Sequence, residues 1–240
     1  MAKGSALSLA SSLILTLAAP VLDSCSFWLA TSGLWKTTRD CGAAQLVSVA
    51  FNSRYPHAMD ERFIQLSGTI DETMFRNLAG AVNQGIQARS KCLTLLMSSR
   101  GGKNAAAHAA YNLLRSAPLN LTTWNMGIVG SAAVSIFCAG SSRRSVPNAR
   151  FWLHCTDWNF ANRDYDVVEV RAILAELEQD MRLNARILAA NSNQSEEELI
   201  DQKCHKTTWL PEQALKNKFI HEIAMPVISG AVQLITGAAA

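Results

Sequence analysis

Between residues 62 and 223, short apolar runs of strand length alternate with longer stretches of helical spacing. That alternation restricts the region to an α/β domain built on a mostly parallel sheet. Arg62–Leu66 alternates and stops at Ser67-Gly68, which predicts a strand. Asp71 can cap the next segment, where Phe75, Leu78, Val82 and Ile86 recur at helical spacing. Cys92–Met97 and Leu121–Met126 are further strand-length runs. The Ala-rich segment 103–116, stopped before Pro118, and the small-residue segment 131–139, ended by Gly140, predict helices. Phe151-Trp152-Leu153 predicts a strand that delivers His154. From Asp164 to Ala190, Val167, Val170, Leu174, Leu177, Met181 and Leu188 form one stripe of a long helix. Ser195, with Glu198 three residues on, has the form of a capping box.

Composition supports a buried core and narrows the class of partner. At 49% hydrophobic and 17% charged residues the 240-residue chain is not disordered. Its 22 basic and 19 acidic residues leave a net charge of +3, too balanced for a nucleic-acid or anionic-membrane footprint. Six cysteines without a CxxC pair or metal-ligand spacing read as reduced, mostly buried thiols.

The two ends stand apart from the patterned region. Lys3, the apolar stretch Ala6–Ala19 and a small residue before Cys25 outline a secretory or lipoprotein signal, although Asp23 and several hydroxyl residues interrupt it. A membrane helix needs about 20 apolar residues, which this stretch does not supply. The expected organisation is an N-terminal extension over 1–58, a domain over 59–223 and an apolar tail over 224–240. The tail, broken by Pro226, reads as packed or frayed rather than as an anchor.

Three clusters carry possible chemistry. Gly101-Gly102, between a strand and a helix, allows positive φ and a close approach of bare N–H groups to an anion, or serves as an ordinary turn. It lacks the earlier glycine of a phosphate-binding loop. Ser131, in Gly130-Ser131-Ala132-Ala133, sits where a strand gives way to a helix. A serine there can be exposed on a sharp turn with the Ala132 N–H facing a developing oxyanion; small residues there can equally serve close packing. His154 follows an apolar strand and is the histidine best placed for acid–base work, ahead of His57, His108, His205 and His221.

Taken in order, these clusters resemble the Clp protease proteolytic subunit (ClpP-like, serine peptidase family S14), in a divergent branch. The likeness spans about 62–223. Leu66-Ser67-Gly68-Thr69-Ile70-Asp71 resembles the family's opening strand and turn, and Met97-Ser98-Ser99-Arg100-Gly101-Gly102 its N-S-P-G-G loop. Pro147-Asn148-Ala149-Arg150 with His154 resembles the segment around its catalytic histidine. Pro211-Glu212-Gln213-Ala214 and Phe219-Ile220-His221-Glu222-Ile223 resemble its closing segment. The family's usual A-S-M-G string is missing; Gly127–Gly140 instead aligns without a gap to the string G-N-V-D-S-I-A-N-V-I-F-L-A-G of the divergent branch. This alignment puts Ser131 on the nucleophile, with Ser135 as the runner-up. The third triad position falls near Asp201, or on Gln202 after a one-residue slip.

The resemblance implies a ClpP/crotonase-like fold of repeated strand-strand-helix units with a long protruding helix. It also implies a serine endopeptidase acting on unfolded polypeptides through an acyl-enzyme. Ser131, His154 and Asp201 would be catalytic, and N–H groups of Gly101 or Gly102 and of Ala132 would form the oxyanion hole. No cofactor or metal enters this expectation. The implied partners are an AAA+ Clp-type unfoldase and a homo- or hetero-oligomeric ring, with no nucleic acid or membrane partner expected. The expected location is cytoplasmic, or exported if residues 1–24 act as a signal. Alternatives are a weak or inactive structural ring subunit paired with an active paralogue, a signal-peptide-peptidase-like protease, and a crotonase-type acyl-CoA enzyme.

Overall fold

In the computed structural model, which describes residues 61–237, the alternation resolves into strands and helices close to the predicted ones. The expectations for residues 1–58 lie outside the described residues. The first half comprises β1 (Glu61–Ile70), α1 (Glu72–Gln87), β2 (Cys92–Gly102), α2 (Asn104–Ser116), β3 (Asn120–Gly130) and α3 (Ala133–Phe137). There follow β4 (Ser142–Ser145), β5 (Arg150–Trp152), α4 (Val167–Ala189), α5 (Glu196–Cys204) and β6 (Thr208–Trp209). The last elements are α6 (Pro211–Lys216), β7 (Glu222–Ile223) and β8 (Val232–Thr236).

The sheet runs β6-β5-β3-β2-β1-β8, with β4 on β3 and β7 on β4. Its pairings are parallel except β5 with β6. Parallel strands need their faces covered, and Ile64 and Leu66 of β1 and Leu93, Leu95 and Met97 of β2 are all buried. Asp71 caps α1, its carboxylate accepting the Met74 N–H at 2.7 Å. Capping boxes open α4 at Asp166 and Glu169, and α5 at Ser195 and Glu198.

β3 holds different partners along its length. Thr122–Asn125 pairs with β4, whereas Ile128–Gly130 pairs with β5, and the register with β2 shifts between Met97 and Ser99. Buried Asn125 repairs that break: its amide donates to the Arg150 carbonyl at 2.9 Å and its oxygen accepts the Gly127 N–H at 3.1 Å. The last residues of β3 are thereby turned onto β5. Beneath β5, Phe151 meets Phe137 and Phe219 edge-on, with ring centroids 5.1 and 5.2 Å apart, and Trp209 meets Phe219 at 5.6 Å.

Two features depart from simple expectation. Residues 232–236 of the C-terminal tail form β8, which pairs with β1 in register from Phe63↔Val232 to Ser67↔Thr236. The apolar stripe of α4 is largely uncovered: Val167, Val168 and Leu174 are exposed, and only its last turns bury Asn184, Ala185 and Leu188. Among the described residues no helix is long and apolar enough to cross a membrane.

Candidate active site

Ser131 stands at the end of β3 with φ +51°, in the left-handed region that a β-carbon disfavours. Holding a non-glycine residue there costs about 1–3 kcal/mol, so neighbouring contacts must impose it. They are visible: the Ser131 N–H donates to the Trp152 carbonyl of β5 at 2.9 Å, and the Ser131 carbonyl accepts the Val134 N–H at 3.1 Å, opening the next turn. Strand, left-handed serine and helix together give the sharp turn that lifts a nucleophilic hydroxyl clear of its own backbone.

The Gly101-Gly102 turn packs against this serine. Gly101 has φ +108°, and a β-carbon there would lie 2.5 Å from Ser131 Cβ, 2.8 Å from the Gly130 oxygen and 3.0 Å from Ala132 N. Only glycine allows this approach. A β-carbon on Gly102 would fall 2.3 Å from the Ile70 carbonyl oxygen. The Gly101 N–H is occupied, donating at 3.1 Å to Ser99 Oγ, whose hydroxyl in turn donates to the Gly68 carbonyl at 2.6 Å. No acceptor among the described residues takes the Ala132 N–H.

A cleft of about 680 Å³ opens on the serine. Ser131 and Gly102 form its floor, the segment Thr156–Asn159 one wall, and Glu176 and Asp180 of α4 another. Asn104 braces that wall by donating to Asp180 Oδ2 at 2.9 Å, and it accepts the Asn184 amide at 3.1 Å. Asn184, almost fully buried, also takes the Ser135 hydroxyl at 2.7 Å and sits 3.0 Å from His108 Nε2. Ser135, the runner-up nucleophile, is thus fully buried with its hydroxyl committed.

His154 lies two residues beyond Trp152, the residue to which the Ser131 backbone is bonded, so both reach the same end of the sheet. Its ring stacks on the Trp152 indole at 4.2 Å and 27°. No hydrogen bond among the described residues joins it to Ser131 Oγ. Burial is the main influence on the imidazole and lowers its pKa; the Cys155 backbone and the Asp157 carboxylate oppose this, while Lys203 and Lys206 reinforce it. A lowered pKa keeps the ring neutral at pH 7, the form a general base needs.

The expected acid is not joined to His154. Asp201 lies on the solvent side of α5, its side chain 73% exposed and 3.4 Å from His205 Nδ1. The physical reason is helical phase: Lys203, two residues and about 200° around the helix, is buried, so Asp201 faces outward. Gln202 accepts the Trp209 indole N–H at 2.8 Å and donates to Gln194 at 2.9 Å, bracing α5 against β6. Sequence reasoning did not single out Asn104, Asn184 or Asp157; Asn104 and Asn184 meet across 80 residues of chain, whereas Asp157 acts on His154 from three residues away.

Comparisons with known proteins bear on the family and the fold. The family described as Clp protease matches residues 48–226, about three quarters of the chain. The chain belongs to the Clp protease family. Curated relatives of this Clp-family chain include "ATP-dependent Clp protease proteolytic subunit 2" of Rhodococcus jostii, 22% identical over 175 residues that cover 72% of this chain and 88% of the relative. "ATP-dependent Clp protease proteolytic subunit 1" of Mycobacterium bovis is 28% identical over 138 residues, covering 56% of this chain and 69% of the relative. Among solved structures, a ClpP1 mutant from Listeria monocytogenes superposes with a TM-score of 0.62 at 18% identity, covering 69% of this chain and 92% of that one. The ClpP-like fold expected from the sequence is the fold observed.

Proposed function

We propose that this Clp-family chain is a serine endopeptidase subunit that hydrolyses unfolded polypeptides through an acyl-enzyme. The observation that carries the reading is Ser131, held left-handed at the end of β3 against a side-chain-free Gly101 and facing the cleft. His154, neutral at pH 7, takes the Ser131 proton as Oγ attacks the peptide carbonyl. The ring must first swing off Trp152, because the stacked position makes no hydrogen bond to the serine. An N–H group of Gly101 or Gly102 and that of Ala132 hold the oxyanion; loss of one such donor costs about 2.7–4 kcal/mol of barrier. His154 then protonates the leaving amine, and water, deprotonated by the same ring, releases the acyl group.

The reading includes an oligomeric ring and a Clp-type ATPase that delivers substrate. The uncovered apolar stripe of α4, at Val167, Val170 and Leu174, supports an assembly surface there. A serine-directed fluorophosphonate tests the chemistry. Labelling that is lost in Ser131→Ala and retained in Ser135→Ala is the expected result; labelling that survives Ser131→Ala would remove the nucleophile assigned here.

A second reading, a structural ring subunit with little activity of its own, is favoured by one specific observation. Asp201 pairs with His205, a neutral Gln202 braces Trp209, and no carboxylate among the described residues hydrogen-bonds to His154, on which Asp157 acts through its charge alone. Rings that assemble without taking the label would favour it.

A further inference from the structure

Two cysteines far apart in sequence meet just behind His154. Cys155 Sγ lies 3.1 Å from Cys204 Sγ across a separation of 49 residues, and 3.8 Å from Met181 Sδ on its other side. Both thiols are free, Cys155 half-buried and Cys204 exposed at the end of α5. We propose that Cys155 and Cys204 form a reversible disulfide site that reads the balance of low-molecular-weight thiol and disulfide, and that its closure ties the segment following His154 to the end of α5.

The fold brings the pair together. β5 and β6 run antiparallel with Phe151 opposite Trp209 and Trp152 opposite Thr208, and the Leu153 N–H extends the pairing by donating to the Thr207 carbonyl at 2.8 Å. Continued two residues, that register sets Cys155 opposite His205, beside Cys204. The Lys206 N–H closes on the Lys203 carbonyl at 3.0 Å and the Thr207 N–H on the Gln202 carbonyl at 3.1 Å, which anchors the turn carrying Cys204. A disulfide bond is about 2.05 Å long, so the sulfurs need to close by only about 1 Å. The two other cysteines of the described residues have no such neighbour: Cys138 is fully buried and Cys92 lies at the start of β2.

The chemistry has an order set by exposure. The exposed Cys204, as thiolate, attacks one sulfur of a glutathione-type disulfide; a sulfur–sulfur bond forms to Cys204 and one glutathione thiolate leaves, taking up a proton. Cys155, as thiolate, then attacks Cys204 Sγ, and the second glutathione leaves. The two protein thiols have lost two hydrogens and two electrons, and one glutathione disulfide has become two thiols. In the reduced pair the Cys155 thiol is pushed up to about 11, by burial first and by sharing its proton with Cys204 second, with Lys203 and Lys206 opposing. With Cys204 in the mixed disulfide, the negative charge that helps hold Cys155 protonated is gone, and the proton Cys155 gives up as it attacks is taken by the departing glutathione thiolate.

The site is tested on the full chain, reduced and then equilibrated across a series of oxidised-to-reduced glutathione mixtures, acid-quenched, alkylated and mapped by mass spectrometry. The expected result is loss of two hydrogens, with a non-reduced peptide linking Cys155 to Cys204. It should appear at a glutathione disulfide concentration at least about tenfold below that which leaves an adduct on Cys92, because the closing step is intramolecular. In Cys204→Ser the link disappears and Cys155 carries only an adduct or a free thiol, whereas Cys92→Ser leaves the link unchanged. Adducts on both Cys155 and Cys204 of one molecule without a linking peptide, or links from either to another cysteine in its place, would overturn the assignment. The wild-type peptide map decides the matter even if a variant fails to fold, and its readout does not depend on proteolytic activity.

Discussion

Lys203 offers a quantitative test of how α5 is seated behind the site. Its side chain is almost fully buried, 3% exposed, among Cys138, Cys155 and His154. Burial lowers its pKa from 10.5 to about 8. At pH 7 the ammonium is charged in both the folded and the unfolded chain, so the fold carries the full penalty of burying it. A shift from 10.5 to about 8 corresponds to about 3 kcal/mol. Replacing it by Met keeps the length and removes the charge, so Lys203→Met should stabilise the protein by up to about 3 kcal/mol at pH 7. The sign of the pH dependence follows. Between pH 8 and 10.5 the unfolded lysine holds a proton the folded one has released, so stability of the parent rises with pH through this group. By pH 9 the parent should have recovered about 1 kcal/mol, and the advantage of Lys203→Met should shrink by that amount. Ionisation of Cys138 and Cys155, whose thiols burial raises to about 12 and about 11, acts in the opposite direction but is common to both chains and cancels in the difference. Urea unfolding of both proteins at pH 7 and pH 9 measures it. A variant less stable at pH 7, or an advantage that is the same at both pH values, would refute the account of Lys203 as an uncompensated buried cation.

Other outcomes follow from the site and the helices. Gly101→Ala puts a β-carbon within 2.5 Å of Ser131 Cβ at φ +108°, so it should cost more than about 2 kcal/mol in urea unfolding and abolish serine labelling. Asp201→Asn, at an exposed carboxylate facing His205, should leave the labelling rate within about twofold of the parent; a large loss would return Asp201 to the catalytic machinery. Because burial lowers the His154 pKa below 6.5, the acid limb of kcat/KM on an unstructured peptide should lie below pH 6.5, and Asp157→Asn should move it lower still. Ser195→Ala removes the hydroxyl that accepts the Glu198 N–H at 3.2 Å and should cost about 1 kcal/mol, read as a fall in Tm.

What the sequence determined by itself was everything that depends on neighbours within a few residues. Apolar spacing sets strand or helix one turn at a time, and so β1, β2, β5 and α4 stand near their predicted places. Caps act within three residues, and Asp71 and Ser195 occupy the positions their side chains favour. The Gly-Gly turn and the Gly130-Ser131-Ala132 turn were readable because unusual backbone conformations demand particular residue types. Only the tertiary structure decided which way each side chain faces once its element is packed. Burial of Leu199 and Lys203 fixes the rotation of α5 and turns Asp201 to solvent, although nothing local distinguishes Asp201 from a triad acid. Tail residues 232–236 become a strand only because the edge of β1 is there to pair with them. The Asn184 network and the Cys155–Cys204 contact join groups from distant segments, so their chemistry exists only once the chain has closed on itself.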